Sequence, residues 1–112
     1  MRVLSLVLAA AAAAIAAPAA ASVLVVGSDI AVDCSRAAFA GRSDRAAIAT
    51  CTRALQEEAL DRSDRAGTLV NRGVMLTRAR DYARALADLD RAVELEPTLG
   101  EAFVNRGVVL MA

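Results

Sequence analysis

The sequence predicts an all-α fold in which antiparallel helical hairpins stack as a short solenoid of about five helices, after an N-terminal signal segment. The composition is helical in character, because alanine, leucine and arginine are abundant and only two of the 112 residues are proline. Beyond residue 31, stretches without helix breakers alternate with short turns. An eight-residue stretch also recurs 34 positions further along the chain, which is the period of a unit made of two helices and two turns.

Residues 1–21 are predicted to be a signal peptide. Arg2 supplies the positive charge, and the apolar stretch 3–17 follows it. Pro18 interrupts a helix, and the small residues after it suit signal peptidase, which we expect to cut after Ala21. The predicted location is therefore exported and periplasmic. The alternative is an inner-membrane anchor, since the uncharged run 3–26 reaches about the 20 residues that span a bilayer.

Residues 22–31 are predicted to be an N-terminal extension, and residues 32–112 the helical domain. Its first hairpin, residues 32–60, pairs a helix over 32–39 with a helix over 44–60. The turn between them contains a glycine, followed by Ser43 as the expected N-cap of the second helix.

The two cysteines, Cys34 and Cys51, lie about equally far from this turn, so that they face each other in an antiparallel pair. Outside the cytoplasm such thiols oxidise and persist as disulfides. A metal site needs about four ligands, and the sequence has no histidine and no further cysteine, while a redox pair usually has the closer C-x-x-C spacing. We therefore predict a disulfide that staples the first hairpin.

The direct repeat is the most specific signal: the stretch 69–76, LVNRGVML, returns as FVNRGVVL over 103–110. Within and after the first copy, large, glycine, small and proline residues follow a spacing that resembles the tetratricopeptide repeat, through Leu69, Gly73, Leu76, Ala85, Leu89, Ala92 and Pro97. The resemblance covers one full unit, residues 66–99. Residues 32–60 resemble a degenerate unit, and 100–112 the first helix of an incomplete one.

The resemblance implies core positions. Gly73 lets the two helices of a hairpin approach, Ala85 and Ala92 face that contact, and Leu89 fills the groove between hairpins. The sequence also predicts helix ends around this unit. Asp81 is expected to cap the second helix, Pro97 to follow its end, and Thr98 with Glu101 to form a capping box for the next helix.

The resemblance further implies a concave groove lined by the first helix of each unit. The side chain two before the glycine often contacts an extended peptide in this family, and here it is Asn71 and Asn105. Asparagine suits this role because one amide offers both a donor and an acceptor to a peptide backbone. The alternative is that both asparagines are solvated or bonded between adjacent helices. The same carry-over assigns to the groove Val70, Val74, Thr77, Arg78, Glu101, Val104 and Val108.

Arg72 and Arg106 depart from the family's pattern, in which leucine usually precedes the glycine. A buried arginine needs a carboxylate partner, which Asp88 or Asp90 is expected to supply to Arg72. Arg106 has no following helix to provide one.

The last helix carries apolar residues around most of its circumference, which is unusual for the end of a solenoid. Either another copy of the chain covers it, so that the protein is a homo-oligomer, or the chain is a fragment of a longer repeat array.

Charge and composition argue against other classes. Thirteen basic residues balance thirteen acidic residues, which leaves no net positive charge for nucleic acid. Without histidine or lysine there is no common general base near neutral pH, so we expect neither an enzyme nor a metal or other cofactor. The predicted function is a protein-protein interaction scaffold that binds an extended peptide or helix of a partner, with structural self-assembly as the alternative. Contact with a membrane is expected only if the N-terminal segment stays uncleaved.

Overall fold

The computed structural model describes residues 20–27 and 29–112. This part of the chain is all-α, as predicted, with five helices and no β-strand: α1 (Asp29–Phe39), α2 (Arg45–Glu57), α3 (Arg62–Arg78), α4 (Tyr82–Leu95) and α5 (Gly100–Leu110). Residues 20–27 precede α1 without regular secondary structure. The predicted signal peptide lies outside the described residues, apart from Ala20 and Ala21.

The first helix begins at Asp29, three residues before the predicted start. A tertiary contact explains the difference, because Glu58 Oε1, beyond the end of α2, accepts a hydrogen bond of 2.7 Å from the backbone N–H of Ala31. The first turn of α1 is therefore capped from another element, which no local pattern reveals. At the other end of the hairpin, α2 ends at Glu57, three residues earlier than predicted.

The predicted cap of α2 was wrong by one residue. Asp44, not Ser43, is the N-cap, and its carboxylate accepts a hydrogen bond of 3.3 Å from the N–H of Ala47. Arg42 donates to both oxygens of the same carboxylate, at 3.0 and 2.9 Å. The hydrogen bond from Arg42 lowers the pKa of Asp44 below its ordinary value, so the cap stays ionised to a more acidic pH than a free aspartate does.

The boundaries of the second hairpin follow the sequence more closely. Asp81 caps α4, as predicted, and α4 ends two residues before Pro97. The capping box of Thr98 and Glu101 does not form. Instead Leu99 is the N-cap of α5 and makes no side-chain hydrogen bond. Its N–H bonds to the carbonyl of Glu96 at 3.0 Å, and this turn makes the helix begin one residue too late for Thr98 to cap it.

The main core lies between α3 and α4. Gly73, Ala85, Leu89 and Ala92 are buried there, as predicted. A Cβ atom on Gly73 would lie 3.0 Å from Leu89 Cγ, so the close approach of the two helices requires a residue without a side chain.

The helices pack in a regular order. Each helix contacts the next one along the chain, and α3 also lies against both α1 and α5. Among the described residues, α2 and α4 make no such contact with each other. The first helices of successive hairpins are therefore side by side, with α3 in the centre.

The predicted disulfide is present. Cys34 of α1 and Cys51 of α2 are bonded, with their Cα atoms 4.8 Å apart, and both residues are buried. Met75 of α3 packs against them, its Sδ 3.7 Å from Cys51 Sγ. The disulfide within the first hairpin is therefore also part of the contact between that hairpin and α3.

Candidate functional site

An extended segment of the chain lies across the inner helices. We call residues 20–27 the leading segment. Ala21 contacts Asn105 of α5, Val23 contacts Asn71 of α3, and Val25 packs against α1. The leading segment therefore crosses α5, α3 and α1 in the reverse of their order in the sequence.

Asn71 holds the backbone of Val23 through two hydrogen bonds. Its Oδ1 accepts from the N–H of Val23 at 2.7 Å, and its Nδ2 donates to the carbonyl of the same residue, also at 2.7 Å. The asparagine is buried and comes from the middle of α3. One amide thus satisfies both main-chain groups of one extended residue.

Asn105 repeats this arrangement on Ala21. Its Oδ1 accepts from the N–H of Ala21 at 3.1 Å, and its Nδ2 donates to the carbonyl of Ala21 at 2.7 Å. The Nδ2 group also donates to the carbonyl of Glu101 one turn earlier, at 2.7 Å, which fixes the orientation of the amide. Residues two apart in an extended chain direct their N–H and C=O groups to the same side. The 34-residue spacing of the two asparagines therefore matches a two-residue step of the segment.

Gly67, one turn before Asn71, leaves space for side chains of the leading segment. We call the space beside Gly67 the seat of Val23, and the space beside Ala31 and Ala54 the seat of Val25. A Cβ atom there would lie 2.8 Å from Val23 Cγ1 and 3.2 Å from Val25 Cγ2. Val25 is 1% exposed and clusters with Ala31 and Ala54. These small residues of α1, α2 and α3 leave the space that the two valines fill.

The residues that alternate with these two valines face outward. Leu24 and Val26 are 66% and 68% exposed, whereas Val25 is buried. The leading segment thus alternates between an inner face, which contacts the helices, and an outer face in solvent.

The other predicted groove residues divide into three groups. Val70 and Val74 are completely buried, as Asn71 is, and belong to the core cluster against which Val23 of the leading segment packs. Arg78 is exposed and donates a hydrogen bond of 3.1 Å to the carbonyl of Ala38 on α1. Val104 is exposed, and the partly buried positions are Thr77, Glu101 and Val108.

The two unusual arginines are both paired. Arg72 donates from Nη2 and Nε to the two oxygens of Asp88, at 2.6 and 2.7 Å, and from Nη1 to Thr52 Oγ1 at 3.2 Å. The predicted partner Asp88 is therefore confirmed. Arg106, for which the sequence offered no following helix, turns to the preceding one: its Nε lies 3.0 Å from Asp90 Oδ1, although without a hydrogen bond.

The sequence does not predict that the leading segment lies across α5, α3 and α1. It indicates only an extension over residues 22–31, and Gly67 is not among the predicted site residues. The signal for Gly67 was its position four residues before Asn71, which places both on one face of α3. Nothing local indicates that Val23 and Val25 pack there, because the contacts depend on how the hairpins stack.

The described residues include no group of three or more potential ligands placed to hold a metal ion. No helix within 20–27 and 29–112 has both the length and the apolar character needed to cross a membrane. Comparison with known protein families, with curated proteins and with solved structures finds no match to this chain.

Proposed function

We propose that this protein is an exported protein-protein interaction scaffold, similar to tetratricopeptide repeat proteins, that binds an extended segment of a partner across α5, α3 and α1. One observation carries the proposal. Asn71 and Asn105 each bind both main-chain groups of one residue, two residues apart, in an extended chain. Contacts of this kind recognise any extended backbone and no particular side chain.

The arrangement of the helices supports the repeat interpretation. The side-by-side packing of α1, α3 and α5, without contact between α2 and α4 in the described part, is what a short solenoid requires. The disulfide supports export, since such bonds persist mainly outside the cytoplasm. Removal of residues 1–21 on export would take Ala21 from Asn105 and leave that amide open to the partner's backbone, while Val23 would stay bonded to Asn71. Periplasmic location belongs to the proposal on the ground of the disulfide. A non-enzymatic role belongs to it because the sequence has no histidine or lysine to act as a general base near neutral pH.

A probe peptide tests main-chain recognition. It is an end-blocked, fluorescent peptide with the sequence of residues 20–27, and its binding to the full chain is followed by anisotropy. Methylating the nitrogen that corresponds to Val23 removes the N–H that Asn71 accepts. Losing this bond should weaken binding by about two- to thirteenfold, since a net hydrogen bond contributes about 0.5–1.5 kcal/mol.

The matched control is the peptide methylated at the nitrogen of Leu24, which is not bonded to either asparagine. Both methylated peptides carry the same added group, and only the first should lose affinity. Equal affinity of the two methylated peptides would contradict the proposal.

A second candidate function is self-assembly through the last helix. Phe103, Val104, Leu110 and Met111 are between 47% and 70% exposed, which makes an apolar surface at the end of the stack. Light scattering over a range of concentrations should then show an oligomer that Met111→Glu removes. The control is Phe39→Glu, at another exposed apolar residue (59%) near the end of α1. A monomer at all concentrations would exclude self-assembly.

A further inference from the structure

The groove is already filled by the chain itself, so a partner must replace what lies there. We propose that the leading segment is an internal ligand, and that the partner's segment which displaces it is extended, uncharged on its inner face, and carries branched apolar side chains two residues apart. These two side chains would take the places of Val23 and Val25. The inference rests on the proposed function and adds the class of ligand and its competitor.

Selectivity must come from the side-chain seats, because the two asparagines contact only main-chain atoms. The seat beside Gly67 receives Val23 and has no room for a Cβ atom of its own. The seat for Val25 is formed by Ala31 and Ala54, with Ile30 and Leu60 at its edge. A charged side chain in this apolar seat would lose its hydration without gaining a partner.

The positions between the seats carry no such requirement. Leu24 and Val26 of the internal ligand are largely exposed, and polar residues would fit equally well there. The expected ligand therefore alternates, with branched apolar residues inward and unrestricted residues outward.

The leading segment is attached in a way that permits exchange. It makes no backbone-to-backbone hydrogen bond with another described residue, so it is not part of a helix or a sheet. Its only fully buried side chain is that of Val25. Gly27, at φ +104°, makes the turn into α1, and a Cβ atom there would meet nothing within 4 Å.

Occupancy by the internal ligand has a measurable consequence. An apparent dissociation constant equals the intrinsic one divided by the fraction of molecules whose groove is open. If the leading segment leaves the groove open in about a tenth of the molecules, a partner binds about tenfold more weakly than to a permanently open groove.

The test compares two variants of the full chain, Val25→Asp and Leu24→Asp, with the fluorescent probe peptide described above. The substitution is identical and the sites are adjacent, but only Val25 is buried. Val25→Asp should expel the leading segment and raise the affinity for the probe about tenfold or more over the wild-type chain. Leu24→Asp should bind the probe like the wild type.

The ligand class is tested by making the same changes in the peptide. Against the Val25→Asp chain, a probe with aspartate at the position of Val25 should not bind, whereas a probe with aspartate at the position of Leu24 should bind like the original. Adding Asn71→Leu to the Val25→Asp chain should remove binding, because the emptied groove then lacks one of its two main-chain contacts.

Each other outcome overturns a distinct statement. If both chain variants bind the probe like the wild type, peptide binding stands and the internal ligand is refuted. Binding of both aspartate peptides refutes the ligand class alone. If no chain binds the probe, the proposed function fails as well.

One further outcome concerns folding. The helical circular dichroism signal shows whether Val25→Asp still folds. Gly27→Ala is a second way to release the segment, because alanine is strained at the positive φ of Gly27. Gly100→Ala is its control, at a glycine without positive φ. Loss of helix in both releasing variants would mean that the segment is part of the core, which also overturns the proposal.

Discussion

Replacing Gly67 by alanine separates two contributions to stability: the helix propensity of α3 and the contact of α3 with the leading segment. In the middle of a helix alanine is more favourable than glycine by about 0.5–1 kcal/mol. At Gly67 the new Cβ atom would also lie 2.8 Å from Val23 Cγ1, well inside the roughly 3.5–4.0 Å of a carbon contact. The substitution therefore stabilises α3 but displaces the leading segment from it.

The displacement is large enough to break hydrogen bonds. Moving Val23 back by about 0.7–1 Å restores an ordinary carbon contact, and a comparable stretch takes both 2.7 Å bonds to Asn71 beyond good geometry. Losing the pair costs about 1–3 kcal/mol. The net change in the free energy of unfolding should therefore lie between no change and a loss of about 2.5 kcal/mol, while amide exchange at Val23 accelerates by at least about fivefold.

Two other helical glycines provide matched controls in thermal unfolding and hydrogen exchange. Gly107→Ala adds a Cβ that meets nothing within 4 Å, so it should stabilise by about 0.5–1 kcal/mol and raise Tm by a few degrees. Gly73→Ala overlaps Leu89 at 3.0 Å in the main core and should destabilise by about 1–3 kcal/mol. If Gly67→Ala raises Tm as Gly107→Ala does and leaves Val23 exchange unchanged, the seat does not exist.

Three further predictions concern the scaffold. Arg72→Met alone should destabilise the protein by about 3–5 kcal/mol in denaturant unfolding, because it leaves the carboxylate of Asp88 buried without its partner. Adding Asp88→Leu should recover most of this loss. An equal loss in the single and the double variant would refute the pairing. Reducing the bond between Cys34 and Cys51 should cost about 3 kcal/mol, the chain-entropy value for a loop of this length, and an unchanged melting curve in reductant would contradict it. Because the pKa of Asp44 is lowered in the fold, the stability it contributes is present above the ordinary aspartate pKa and is lost as pH falls through the lowered value; an NMR titration of this carboxyl with an ordinary midpoint would show that the pairing with its arginine is absent.

The features predicted correctly are those that depend on residues close together in the chain. Residue type and spacing predict the capping aspartate of α4 and the disulfide, and the resemblance to the tetratricopeptide repeat implies the core residues of the second hairpin. All three features depend on neighbours within a few turns of the chain. The acidic partner of Arg72 was found in the same way, since it lies only 16 residues away on the adjacent helix.

The start of α1 differs from the prediction because a distant residue intervenes. α1 begins earlier than predicted because Glu58, 27 residues from Ala31, caps it. Val70 and Val74 are completely buried, because α3 is the central helix and packs against α1, α2, α4 and α5. Their place in the groove, which the resemblance implies, stays a prediction. A central helix has fewer exposed positions than a repeat pattern alone suggests.

The equivalent places of Asn71 and Asn105 in two repeated helices can be read from the sequence alone, because a 34-residue period fixes the face on which each lies. The groups that these amides bind depend on how the helices pack. Their partners, Val23 and Ala21, are 48 and 84 residues away. Contacts at such separations form only after the hairpins have stacked and aligned α3 with α5, and no pattern within one helix encodes that alignment.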